Sequence, residues 1–112
     1  MNATAQIPQH ERPISEEYRI VAKQYVDADA AASLLEELKT ATLSQRQQQL
    51  GDMPVSRSEM TVKASPEWFA YVERMVEARK ASNRLKVQLE YIRMKFSEEQ
   101  SAEATARAER RL

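Results

Sequence analysis

Cysteine is absent from this sequence, and glycine and histidine occur once each. Without cysteine there is no disulfide, no thiolate nucleophile and no thiolate metal site. A single glycine, Gly51, rules out a glycine-rich phosphate loop. With only four prolines beside it, it also leaves too few turn residues for a compact β fold. The one histidine, His10, has neither an orienting partner nor a set of companion ligands that sequence can assemble around it. No catalytic residue, metal site or cofactor is therefore expected.

Charge of one sign is also missing. Lys and Arg number 17, Asp and Glu number 17, and the formal charge is zero. Such a chain is under no global pull toward nucleic acid or an anionic membrane. No run approaches the ~18 apolar residues of a membrane span. Residues 1–8 do not have the basic-then-apolar layout of a signal peptide. The expectation is a cytoplasmic, non-enzymatic protein with no membrane association.

What remains is helix-forming material. Ala, Glu, Gln, Arg, Leu and Met dominate the 112 residues, and these lose least on entering a helix. Residues 1–14, with Pro8 and Pro13, lack a sustained period and read as a flexible N-terminal arm. Residues 15–112 read as a helical hairpin. A first helix is expected over 15–50, with Ser15 as N-cap, Glu16 and Glu17 in the first turn, Ile14 as a staple, and Gly51 as its stop. Tyr18, Val21, Tyr25, Ala28, Ala32 and Leu35 alternate in steps of three and four along it, which is a coiled-coil seam. A connection over 51–65 carries the capping-box spacing of Ser56 and Glu59, so a short helix is expected there. The second long helix is expected over 66–110. It starts on Ser65, Pro66 and Glu67, an N-cap, a proline at the first helical position and an acid in the first turn. Tyr71, Met75, Ala78, Ser82, Leu85, Leu89, Ile92 and Phe96 form the more regular seam. The stretch after Phe96 reads as a polar helical extension, with Glu103 and Arg107 in favourable order.

The seams can be set against each other. Each narrows to small residues, Ala28 and Ala32 in the first and Ala78 and Ser82 in the second, and small residues let backbones approach. An antiparallel pairing of these waists opposes Ala28 to Ser82, Ala32 to Ala78, Leu35 to Met75, Tyr25 to Leu85, Val21 to Leu89 and Tyr18 to Ile92. It places the turn inside the Gly-Pro connection and sets Trp68 facing Thr42, which favours a core role for Trp68. Charge agrees: residues 11–37 hold seven acids and three bases, and residues 73–95 hold seven bases and three acids. Arg93 is expected near Glu17, and Arg79 near Asp29 or Asp27. The fold class is all-α, an antiparallel hairpin of long helices.

Two surfaces are left over. Val87, Tyr91 and Met94 form an extra apolar row on the second helix, and Ile20, Leu34 and Leu38 lie outside the seam of the first. Stripes this wide suggest a protein partner or a second copy, such as a homodimer forming a four-helix bundle. The alternative is that the arm and the connection helix cover these rows. The second surface is a basic stripe, Arg79, Lys80, Arg84, Lys86, Arg93 and Lys95, with Arg74 and Tyr91 nearby, which suits a phosphate backbone. Its structural explanation is neutralisation of the acidic first helix. Adjacent acids such as Glu36–Glu37 and Glu98–Glu99 point in different directions and read as solvated faces.

The stretches Gly51-Asp52-Met53-Pro54-Val55, Gln88-Leu89-Glu90-Tyr91-Ile92-Arg93-Met94-Lys95-Phe96-Ser97-Glu98 and Ala104-Thr105-Ala106-Arg107-Ala108-Glu109-Arg110-Arg111 resemble a family of small helical proteins from tailed bacteriophages and prophages. Lys95 stands where that pattern has arginine. The resemblance leaves the N-terminal arm outside. It implies a phage-encoded accessory or host-modulating factor in the cytoplasm of the bacterial host, and it brings no activity with it. Two readings follow: a helical protein-interaction module using the apolar rows, or a nucleic-acid-binding accessory of phage DNA replication or recombination using the basic stripe.

Overall fold

The computed structural model describes residues 13–112. Among the described residues the secondary structure is four helices and no strand: α1 (Ile14–Glu37), α2 (Lys39–Gln49), α3 (Val55–Lys63) and α4 (Pro66–Arg111). The fold is all-α, with α4 packed against α1 as a helical hairpin. Most of the flexible arm read from the sequence lies outside the described residues.

The starts of the helices follow local chemistry, with two departures from expectation. At α1 the Pro13 carbonyl accepts from the amides of Glu16 (3.1 Å) and Glu17 (3.0 Å), so Ile14 opens the helix and Ser15 already lies inside it. At α4 Ser65 acts as expected: its Oγ accepts from the Trp68 amide at 3.2 Å. At α3 the Ser56–Glu59 capping box does not form. Pro54 precedes the helix with no side-chain cap, and Ser58 Oγ instead donates to the Val55 carbonyl at 2.8 Å. Gln47 of α2 completes that corner by donating to Ser58 Oγ at 3.0 Å. The reason lies in tertiary packing: Ser58 is buried where α3 packs on α2, whereas Ser56 faces solvent.

The expected continuous helix over 15–50 is divided at Leu38, a single turn residue with φ −82° and ψ −3°. The Tyr71 hydroxyl of α4 donates to the Leu35 carbonyl. In an unbroken helix that carbonyl belongs to the amide four residues on, at Lys39, where α2 begins. A side chain inserted into the helical ladder is a recognised way to interrupt it. The acids Glu36 and Glu37 add to it, because α1 ends with no basic residue in its last turn to favour the dipole. Gly51, at φ +80°, then turns the chain after α2. The left-handed backbone there suits glycine alone among the residues of this segment.

The chain forms two compact units: residues up to Val26 with Asn83–Leu112, and Asp27–Ser82. In the first, Val21, Leu89 and Ile92 are buried together, with Ile14, Tyr18, Ala22, Tyr25 and Leu85 packed around them. In the second, Val62, Trp68 and Tyr71 form the buried cluster, flanked by Leu35, Leu43 and Val72. Trp68 stacks on Tyr71 with ring centroids 5.6 Å apart and planes 14° apart. The small waist also lies in this unit, where Ala32 is 0% and Ser82 1% exposed. Residues with so little side chain bring two backbones close, and nothing larger fits without displacement.

Candidate interaction surface

The seam of α4 fixes which way every other residue on that helix faces. Val87 and Met94 fall two positions after seam residues Leu85 and Ile92, which at 100° per residue puts them on the far side of the helix. Tyr91 is their neighbour at four- and three-residue steps. All three are exposed, at 63%, 61% and 63% for Val87, Met94 and Tyr91. The connection helix α3 packs on α2. Cover by residues 1–12 lies outside the described residues.

The other apolar candidates are distributed unequally. Ile20 is half-buried, while Leu34 and Leu38 are exposed at the end of α1. Phe69 and Val76 of α4 are exposed too. Sequence reasoning left Val76 out of every candidate row, although its seven-residue spacing from Phe69 sets both on one line of the helix. In the first unit, Ile14, Ser15, Tyr18, Ile92, Arg93 and Phe96 line an open apolar cleft of about 250 Å³. Phe96 ends the seam at 48% exposure.

The basic stripe is engaged to different degrees along its length. Arg79 is held by three side chains of α1. Its Nε and Nη2 donate to the two Glu36 oxygens at 2.9 and 2.7 Å, its Nη1 donates to Asp29 Oδ1 at 2.6 Å, and its Nη2 donates to Ser33 Oγ at 3.2 Å. Asp29, not Asp27, is the aspartate partner. The fork geometry of the guanidinium matches both carboxylates, which an ammonium cannot do. Hydrogen bonds from Arg79 hold the Glu36 carboxyl below the usual carboxylate range, and those to Glu36 and Asp29 raise Arg79 further. Arg93 lies over the Tyr18 ring at 5.5 Å and donates to its hydroxyl at 2.7 Å, a partner other than the expected Glu17. Arg74 lies over Tyr71 at 5.6 Å. Lys95 is half-buried. Lys80, Arg84 and Lys86 are exposed and make no ion pair among the described residues.

Around Arg46 two shallow clefts meet, one of them lined by Arg46, Glu67, Ala70, Tyr71 and Arg74. Arg46 Nε is buried there without a hydrogen-bond partner. Among the described residues no three His, Asp or Glu side chains gather to hold a metal ion, and no helix is long and apolar enough to cross a membrane. Comparison with known protein families, with curated proteins and with solved structures finds no match for the chain.

Proposed function

We propose that this protein is a non-enzymatic helical interaction module whose binding surface is the Val87–Tyr91–Met94 row. The observation that supports this reading most directly is the position of the row: three large apolar side chains, each more than half exposed, on the face of α4 opposite its seam. Single exposed apolar residues are ordinary, but a contiguous row on one helix face marks a docking surface. Leu34 and Leu38 offer a second apolar contact on α1. The resemblance to phage and prophage proteins makes the role an accessory or host-modulating one, carried out in the host cytoplasm.

The test compares what the wild-type protein and a Tyr91→Glu variant retain from host lysate. A partner held by the first and lost by the second, with helicity and melting unchanged, supports the reading. Identical retention by both proteins overturns it. The second reading, binding of nucleic acid, draws on Lys80, Arg84 and Lys86, whose charges are free of ion pairs among the described residues. Against it stand the zero net charge and the engagement of Arg79 by two carboxylates. A salt-dependent gel shift on single- and double-stranded DNA separates the two, since phosphate contacts must weaken as salt rises.

A further inference from the structure

Arg84, Tyr91 and Glu98 are spaced seven residues apart and therefore lie on one line along α4, roughly 10 Å from each to the next. Val87 and Met94 form the adjacent line, also with a seven-residue step. Tyr91 is the midpoint of the first line, and the midpoint of the second falls half a residue away from it. The row is thus centred, with a base at one end and an acid at the other. Both charged residues are exposed, and neither forms an ion pair among the described residues.

We propose that the occupant of this row is a second copy of the chain, laid antiparallel along the same face of its own α4. The inference rests on the interaction-module reading and names the partner. A two-fold interface requires that if one residue meets another, the second also meets the first. About an axis at Tyr91, Arg84 of each copy meets Glu98 of the other, Val87 meets Met94, and the two Tyr91 rings meet at the axis. A parallel pairing would set Arg84 against Arg84 and Glu98 against Glu98, so the charge pattern selects the antiparallel one. Glu90, on the other flank of the row, comes near its own copy and weakens the pair. The buried strip is short compared with a standard interface of about 1,600 Å², so the association is weak and concentration-dependent.

Sedimentation equilibrium of the full chain over a wide concentration range provides the first test, with a reversible monomer–dimer equilibrium expected. Arg84→Glu alone and Glu98→Arg alone each turn two attractive contacts into two repulsive ones, and each weakens the dimer about tenfold. The double variant restores it. These exposed positions leave monomer folding intact, which circular dichroism checks. Because the native chain has no cysteine, Tyr91→Cys gives a single thiol that cross-links two copies under mild oxidation. A monomer at every concentration, or a double variant no better than the singles, overturns the proposal. If the chain is monomeric but Tyr91→Glu still loses a lysate partner, the interaction-module reading stands and only the self-pairing fails.

Discussion

The Tyr71 hydroxyl donates to the main-chain carbonyl of Leu35, 36 positions earlier, and the helix that carries Leu35 is interrupted three residues later, at Leu38. One side chain of α4 thus both joins the core with Trp68 and sets where α1 stops. Tyr71 and Leu35 both lie in the second unit, so the bond ties its parts of α1 and α4 together.

Tyr71→Phe isolates that bond, because the ring and its stacking on Trp68 are kept. The variant is expected to lose about 0.5–1.5 kcal/mol of stability by chemical denaturation. The Leu35 carbonyl is then returned to the helical ladder. Hydrogen exchange at the Lys39 amide should slow relative to its neighbours, and an unchanged exchange pattern would show that the interruption at Leu38 has another cause.

Arg79 joins α4 to α1 through a fork that two carboxylates share, so its removal leaves Asp29 and Glu36 facing each other uncompensated. Arg79→Met is expected to lower the melting temperature. Arg79→Lys should fall between that variant and wild type, because it keeps the charge and loses the fork. The Arg79–Glu36 coupling, measured by a double-mutant cycle, should shrink as salt is added, since the pair is open to solvent. A salt-independent coupling would contradict this account.

The same pair sets a pH dependence. Folding holds the Glu36 carboxyl below its ordinary range, so the folded state favours the ionised form. The stabilisation is complete above the usual carboxylate range and is lost as the pH falls through the lowered value. Denaturation midpoints taken from neutral to about pH 3 should decline more steeply for wild type than for Glu36→Gln. Equal slopes would mean that the pair contributes nothing to folding.

Burial separates the two faces of α4. Ile92 is 1% exposed, and Ile92→Ala is expected to cost about 2–5 kcal/mol through lost contacts and a cavity. Val87→Ala, on the opposite face, should change monomer stability by no more than about 0.5 kcal/mol. Ala32→Leu makes the reverse change at the waist, where overpacking costs about 1–3 kcal/mol. Thermal melts of the three variants at low protein concentration give the ranking. A Val87→Ala effect as large as that of Ile92→Ala would show that the outer row is packed.

The helical class, the seam from Tyr71 to Ile92, the Ser65–Pro66 start and the small waist are all legible from local pattern. A helix repeats every 3.6 residues, so the spacing of apolar side chains already states which of them share a face. Charge is partly legible: Arg79 to Asp29 follows from the register, whereas Glu36 lies seven residues further along α1, about two turns, and is reached because the long arginine fork spans both carboxylates. The candidate row Val87, Tyr91 and Met94 was legible as surplus apolar residues. That all three stay exposed is a tertiary fact, and their spacing does not carry it.

Helices and their buried faces are written in the local pattern, because both depend on residues a few positions apart. The interruption at Leu38, the replacement of the Ser56–Glu59 cap by Ser58, and the pairing of Arg93 with Tyr18 come from tertiary packing alone. Each of these depends on a group delivered from another element: the Tyr71 hydroxyl, the Gln47 amide and the Tyr18 ring. Local propensity leaves such choices open by a fraction of a kcal/mol per residue, and a single well-placed hydrogen bond of about 1 kcal/mol is enough to settle them.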